Sequence, residues 1–123
     1  MTAGRISKAA VHHSIDIAAD HLKEAAGPDG KISRADMKKA GAQIEDKTEK
    51  KLTQVFAKFA DHRDFRVGAQ LTAKDVDLTA KYAKAKLIDA YDTNRNGLEK
   101  KEISKMSLTG QLAVLLAKQN ENR

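Results

Sequence analysis

Three short connectors in this chain repeat one pattern, and the repeat limits the architecture more than any other feature of the sequence. The connectors cover residues 29–37, 68–76 and 96–103. In each, a small or turn-forming pair precedes an aliphatic residue, and a carboxylate and a second aliphatic residue follow four and five positions later. The first aliphatic residues are Ile32, Leu71 and Leu98, and the carboxylates are Asp36, Asp75 and Glu102. Such a repeat indicates that one supersecondary unit is used more than once.

The segments around the connectors have the periodicity of amphipathic helices. In the first segment, apolar residues recur at steps of 4, 3, 4 and 3, at Val11, Ile15, Ala18, Leu22 and Ala25. This helix should end near Gly27-Pro28, because the residue before a proline is pushed out of the helical region. We expect further helices at about 33–41, 47–60, 73–91 and from 100, with a break at 107–110 before a closing helix. The helix at 73–91 has its own inner stripe, formed by Val76, Ala80, Ala83, Leu87 and Tyr91.

No stretch alternates over the length of a strand, so the predicted fold class is all-α. We expect a compact domain of about five to six helices that takes up residues 1–123. Three helix starts carry capping signals, in which a side-chain oxygen precedes a carboxylate by three residues. These pairs are Ser33 with Asp36, Asp46 with Glu49, and Thr72 with Asp75.

Composition excludes several classes of site. The 123 residues are 41% hydrophobic and 33% charged, which is typical of a folded domain. The chain has no cysteine, so disulfides, thiolate zinc sites and cysteine nucleophiles are all excluded. The apolar runs are much shorter than a membrane span requires, and no classical signal peptide is visible. We therefore expect a cytoplasmic protein by default, with export by another route left open.

With helices on both sides of its three connectors, the chain resembles the EF-hand family in a divergent form, over roughly residues 12–106. That family's loop reads D-x-[DN]-x-[DN]-G and closes with a glutamate at its twelfth position. The resemblance implies paired helix–loop–helix units, with a short two-stranded contact between loops at Ile32, Leu71 or Leu98. It also implies a binding or scaffold module that engages a protein partner through an apolar groove or the C-terminal helix around residues 112–117.

The third loop, residues 92–102, matches the family's calcium pattern best. The resemblance implies calcium as the cofactor, with candidate ligands Asp92, Asn94, Asn96, the Leu98 carbonyl and Glu102. Gly97 would supply the sharp turn. One residue is missing after Gly97, however, so Glu102 falls at the eleventh position and would point about 100° away around the exiting helix. The formal charge of the loop is zero, which attracts a divalent cation poorly. We therefore favour an architectural role for this loop, with calcium as the alternative.

The other two loops match the calcium pattern less well. In the first loop, Ala25 and Gly27 stand at ligand positions, and its closing residue is the shorter Asp36. In the middle loop, Asp64 and Asp75 stand at the two ends, but the positions between them lack ligands. We expect neither loop to bind calcium, and we expect Asp36 and Asp75 to serve as helix caps.

Other clusters of polar residues have simpler explanations. His12, Asp16 and Asp20 share one helical face and could ligate a transition metal, but a solvated face with local charge pairing is favoured. His13 and His21 flank Ile17, and we expect them to be partly buried. No arrangement for nucleophilic or acid–base catalysis is present, so we predict that the protein is not an enzyme.

The net charge of +6 supports a second functional class. Basic residues are frequent in the middle of the chain, at Lys38, Lys39, Lys47, Lys50, Lys51, Lys58, Arg63 and Arg66. A row of cations can bind phosphates without reading sequence, so the alternative function is nucleic-acid binding by a basic helical protein without metal. Acidic residues are interleaved and no aromatic platform accompanies them, which favours ordinary solvated, lysine-rich helices over nucleic-acid binding.

Overall fold

The structure is a computed structural model that describes residues 6–61, 71–92 and 97–121. This part of the chain is mostly helical, with one two-stranded sheet. The elements in chain order are α1 (Lys8–Ala25), β1 (Lys31–Ile32), α2 (Arg34–Ala42), α3 (Lys47–Asp61), β2 (Leu71–Thr72), α4 (Ala73–Tyr82), a π-helix (Ala83–Ile88), a 3₁₀-helix (Asp89–Tyr91), α5 (Lys100–Ile103) and α6 (Leu108–Glu121). The all-α prediction is confirmed at this level of detail.

Helix α1 lies at the centre of the packing. It contacts α2, α3, α4 and α6, and its predicted stripe is fully buried from Val11 to Leu22. The facing helices bury aliphatic side chains and one aromatic ring against it. Among the larger of these side chains, Leu52, Phe56, Val76, Ile88 and Leu116 have no exposed surface, and neither has Leu98 in the third connector. Burial of apolar surface on this scale is the main force that holds such a helical domain together.

The predicted capping pairs are present at the starts of three helices. Ser33 and Asp36 form a reciprocal capping box at α2, and Thr72 and Asp75 form one at α4. At α3, the Glu49 amide donates to Asp46 Oδ1 at 2.8 Å. Each cap satisfies backbone N–H groups that have no partner inside the helix, which explains why the helices begin at these residues.

Strands β1 and β2 join the first two connectors. They run antiparallel, with Ile32 opposite Leu71 and Lys31 opposite Thr72. The Ala73 amide also donates to the Gly30 carbonyl at 2.9 Å, which extends the pairing by one hydrogen bond. Both aliphatic residues are 1% exposed, so the contact places them in the core between the helices. The aliphatic positions of the first two repeats thus meet directly.

The segment predicted as a helix at 73–91 is helical throughout, but only Ala73–Tyr82 is α-helix. After Tyr82 the backbone forms a π-helix, in which hydrogen bonds join residues five apart, and then a 3₁₀ turn. Because the π-turn is wider, the buried residue that follows Ala83 on this face is Ile88. Neither residue has any exposed surface. The predicted stripe residues Leu87 and Tyr91 are only partly buried.

Two smaller predictions also need correction. The break predicted at 107–110 lies instead at 104–107, because α5 ends at Ile103 and α6 begins at Leu108. His13 is exposed, whereas His21 is partly buried as predicted and its Nε2 lies 2.7 Å from Glu49 Oε2 on α3.

Gly110 lies in the first turn of α6, where the Leu87 carbonyl approaches closely enough that an added Cβ would lie 3.1 Å from its oxygen.

Candidate functional site

Asp92, the first candidate calcium ligand, follows the 3₁₀-helix and is the most buried of the site's carboxylates. The side chain has no exposed surface, although it carries a carboxylate. Its Oδ2 lies 3.3 Å from the Lys8 Nζ at the start of α1, and it accepts a 3.3 Å hydrogen bond from the Gly97 amide. A buried carboxylate needs both charge compensation and hydrogen bonds. Here a lysine and a backbone amide of the same chain contribute to both.

The N-terminal segment lies across the other end of the loop. The Leu98 amide donates to the Ile6 carbonyl at 2.8 Å, and the Ile6 amide donates to the Leu98 carbonyl at 3.0 Å. The aliphatic position of the third repeat therefore pairs with Ile6, not with Ile32 or Leu71. Gly97 has a φ of +100°, and an added Cβ would lie 3.0 Å from the Ile6 oxygen, so the position requires glycine.

Glu102, the predicted closing ligand, caps its own helix. Its Oε1 accepts the Glu99 amide at 3.0 Å in a reciprocal capping box, and the residue is 9% exposed. This carboxylate is therefore directed at the start of α5, in keeping with its position one residue early in the loop. Asn94 and Asn96 lie outside the described residues.

The described donors of this loop do not fit a calcium ion as they stand. Calcium requires six to eight oxygens at 2.3–2.6 Å. Asp92 is engaged by Lys8 and Gly97, the Leu98 carbonyl accepts the Ile6 amide, and Glu102 caps α5. Across residues 6–61, 71–92 and 97–121, no group of three or more His, Asp or Glu side chains could hold a metal ion.

Carboxylates of the first two loops also bond to nearby backbone. Asp29 Oδ1 accepts the Lys31 amide at 3.0 Å, and Asp36 Oδ2 accepts the Ser33 amide at 3.0 Å. Asp75 Oδ2 accepts the Thr72 amide at 3.0 Å. These bonds make the connectors stable turns between helices. Asp64 and the rest of residues 62–70 lie outside the described part of the chain.

The polar face of α1 makes side-chain hydrogen bonds and ion pairs. Those of the three residues considered as metal ligands are His12 Nε2 with Asp89 Oδ1 at 2.6 Å, Asp16 with Lys84 at 2.5 Å, and Asp20 with Lys23 at 3.6 Å. Two of the pairs reach the π and 3₁₀ segments, so this face is a helix–helix contact as well as a hydrated surface. Lys23 also donates to Asp77 of α4 at 2.9 Å, a hydrogen bond that raises the pKa of the lysine.

An apolar groove lies between α5 and α6 and has a volume of about 500 Å³. We call it the α5–α6 groove, and it is lined by Lys100, Ile103, Ser104, Leu108, Gln111, Leu112, Val114, Leu115 and Lys118. Leu108 is 55% exposed and Leu115 is 52% exposed, although both are large aliphatic residues. Two lysines are among the residues that line it, and none of those described there is acidic.

A second cleft, of about 640 Å³, lies between α2 and α3. Its residues are Arg34, Met37, Lys38, Gln54, Ala57, Lys58 and Asp61. Three cations line it, together with one carboxylate. Arg63 and Arg66, which belong to the same basic region of the sequence, lie outside the described residues.

Sequence reasoning missed two parts of these sites. Lys8 and Ile6 were not connected with the third loop, because nothing local links positions so distant in the chain. Exposure of Leu108 and Leu115 was also missed. The only available signal was the leucine-rich stretch around residues 112–117, which lies on the same helix but does not indicate which of its leucines are exposed.

None of the helices in the described ranges is long and apolar enough to cross a membrane. Comparisons with protein-family models, with curated proteins and with solved structures give no match to this chain.

Proposed function

We propose that this protein is a divergent EF-hand-like helical module that binds another protein, and that its α5–α6 groove takes an acidic amphipathic helix of that partner. The observation that carries the proposal is the exposure of Leu108 and Leu115 beside lysines. Exposed apolar surface of this kind is typical of interaction sites.

The geometry of the groove favours a helix as the ligand. Leu108 and Leu115 are seven residues apart on one face of α6, which corresponds to about 10.5 Å along the helix axis. A ligand helix with apolar residues at positions i, i+3 and i+7 presents a stripe of similar length. The stripe would pack on these leucines and on Ile103.

The charge of the rim favours an acidic ligand. Lys100 and Lys118 line the groove, and Lys101 and Lys105 are exposed close by in the chain. Glutamates on both flanks of the ligand stripe would meet these ammonium groups. Such pairs at the edge of an interface steer association and weaken as salt is added.

A synthetic helix tests this proposal. The probe carries leucines at i, i+3 and i+7 with glutamates on both flanks, and a matched peptide has lysines in place of the glutamates. We expect the acidic peptide to bind and to shift the amide signals of α5 and α6. Its affinity should fall as salt is added. We expect Leu115→Lys to reduce its affinity roughly tenfold or more, since a leucine loses its burial.

Leu78→Lys is the matched control, because Leu78 is a 45% exposed leucine on α4 outside the groove. It should leave peptide binding unchanged. Equal affinity for the acidic and lysine peptides would contradict the proposal. So would self-association through α6 in sedimentation experiments, or selective binding to anionic lipid vesicles in place of the acidic peptide.

The EF-hand-like part of the proposal is supported by the three capped connectors and by the pairing of Ile32 with Leu71. Calcium at Asp92, Asn94, Asn96, Leu98 and Glu102 stays a prediction. A calcium titration that follows the Gly97 amide tests it, and a saturable shift at millimolar calcium would support it.

Nucleic-acid binding is the second candidate, supported by the three cations of the α2–α3 cleft. On this hypothesis a nonspecific duplex should shift signals from Arg34, Lys38 and Lys58, and its affinity should fall steeply with salt. Lys58→Glu should weaken it, whereas Lys118→Glu should not. Absence of any shift at low salt would exclude this candidate.

A further inference from the structure

The two walls of the α2–α3 cleft are built in the same way. The helices come close at Gly41, where an added Cβ would lie 3.2 Å from Gln54 Cγ. On α2, the residues three, four and seven positions before this contact line the cleft. On α3, the residues three, four and seven positions after it do the same. Such spacing belongs to one helical face, so each wall is a helix face about 10.5 Å long.

Met37 and Ala57 form an apolar floor in this cleft. Met37 is partly buried, Ala57 is 5% exposed, and both belong to the packing of the hydrophobic core. Lys38 and Lys58 line the cleft as well, and a lysine can lay its methylene stem along an apolar wall while its ammonium stays in water. None of the described lining residues is aromatic. The lining therefore suits an aliphatic chain better than a planar ring, which binds best on an aromatic surface.

Three cations surround this floor. Arg34, Lys38 and Lys58 are exposed, and none of them forms an ion pair in the part of the chain that the structure describes. Asp61 is the single carboxylate among the described lining residues. Since cations lie on both walls, an anion inside the cleft would be attracted from both sides.

We propose that the α2–α3 cleft binds a fatty-acid-type ligand, an unbranched aliphatic chain that ends in a carboxylate. The chain would lie on Met37 and Ala57, and the carboxylate would lie among the three cations. Of these, Arg34 can bind both carboxylate oxygens at once. The volume of about 640 Å³ falls within the range of roughly 300–1,000 Å³ that is typical of sites for organic ligands.

This inference is independent of the α5–α6 groove, and its ligand differs from a nucleic-acid duplex. The phosphates of a duplex could use the cations of the cleft, but they would gain nothing from its apolar floor. The two ligands are therefore distinguishable by their dependence on Met37.

Decanoate below its micelle concentration is the probe for the cleft. Decyltrimethylammonium has the same chain with a positive head, and acetate has the carboxylate without the chain. We expect decanoate to shift the amide signals of residues 34–38 and 57–61 with saturation. Decyltrimethylammonium should cause no saturable shift there. Acetate should bind at least about a hundredfold more weakly, because it has no methylene groups to bury.

Lys38→Gln tests the charge of the walls, and Lys39→Gln is its matched control. Lys39 is the next residue on α2, is exposed and is not among the residues that line the cleft. We expect Lys38→Gln to weaken decanoate binding about two- to fivefold, the usual effect of one exposed charge pair, and Lys39→Gln to leave it unchanged. Equal losses in the two variants would contradict the proposal. Both changes affect exposed lysines only, so this comparison remains informative if a change in the floor impairs folding.

Met37→Gln tests the floor with a polar side chain of similar length. It should weaken decanoate binding about three- to tenfold and leave the binding of a duplex unchanged. Leu115→Lys, which alters the α5–α6 groove, should leave decanoate binding unchanged. Saturable shifts at Leu108 and Leu115 in place of the cleft would overturn the proposal. So would binding to anionic lipid vesicles without binding to monomeric decanoate, or a duplex that shifts the cleft signals when decanoate does not.

Discussion

Gly110 lies where the first turn of α6 meets the π-helix. A Cβ at this position would lie 2.9 Å from Met106 Cε, 3.1 Å from Met106 Cβ and 3.1 Å from the Leu87 oxygen. The methyl end of Met106 can rotate away, but the Leu87 carbonyl is backbone and cannot. The absence of a side chain at Gly110 therefore allows the two helices to approach this closely.

Gly110→Ala should destabilise the protein by about 1–3 kcal/mol, the usual cost of overpacking, reduced by the better helix propensity of alanine. The free energy of unfolding in urea measures this effect. Gly41→Ala is the matched control, because its Cβ would meet only the side chain of Gln54 at 3.2 Å, which is exposed and can move. We expect Gly41→Ala to be neutral or stabilising. A larger loss at Gly41 than at Gly110 would refute this account of the contact.

At the scale of the helix, the capping box of α2 has an electrostatic consequence. The pKa of Asp36 lies below its ordinary value of 3.8, chiefly because the carboxylate accepts the Ser33 backbone amide and also because it interacts with the Ser33 hydroxyl. Because folding lowers the pKa of Asp36, its carboxylate stabilises the folded protein fully at pH values above the pKa of the unfolded chain. This stabilisation is lost as the pH falls through the pKa of the folded protein.

Ser33→Ala should raise the pKa of Asp36 only part of the way to 3.8, because the backbone amide at residue 33 remains as a donor. Carboxyl chemical shifts followed from neutral to acid pH measure this. Thr72→Ala, which alters the equivalent cap of α4, should leave Asp36 unaffected. An Asp36 pKa that is already ordinary in the natural chain would disprove the role of the cap.

The elements differ in how far local sequence could predict them. The starts of α2, α3 and α4 were predictable, because each depends on a side chain three residues from its partner. The π-helix was not, because the apolar stripe could continue at Leu87 as readily as at Ile88. Which of the two residues is buried depends on how α6 packs against this segment at Gly110. Local periodicity holds no information about that contact.

The same division holds at the candidate site. The turn at Gly97 was predicted from local spacing and is found in the structure. Glu102 was predicted only as a candidate calcium ligand, and the structure shows it in the capping box of α5. The engagement of Asp92 by Lys8, by contrast, joins residues that lie far apart in the chain. A pattern of ligand positions shows which oxygen atoms a loop contains. It does not show which cation from a distant part of the chain lies next to them.

At the scale of the whole molecule, α1 is the element on which the other helices assemble. It contacts α2, α3, α4 and α6, and its first residue lies beside the third loop. Its polar face is paired with the π and 3₁₀ segments through Asp16 and His12. A disturbance at the start of α1 should therefore reach both the core and the loop.

The pairing of Ile6 with Leu98 also sets an order of events during protein synthesis. Ile6 is synthesised before its partner, since Leu98 is added 92 positions later. At the usual rate of about 5–20 residues per second, the N-terminal segment waits roughly 5–18 s for its partner. We expect α1, α2 and α3 to be able to pack during that interval, since they precede the third loop in the chain. The N-terminal segment can close over the loop only after the loop itself has been made.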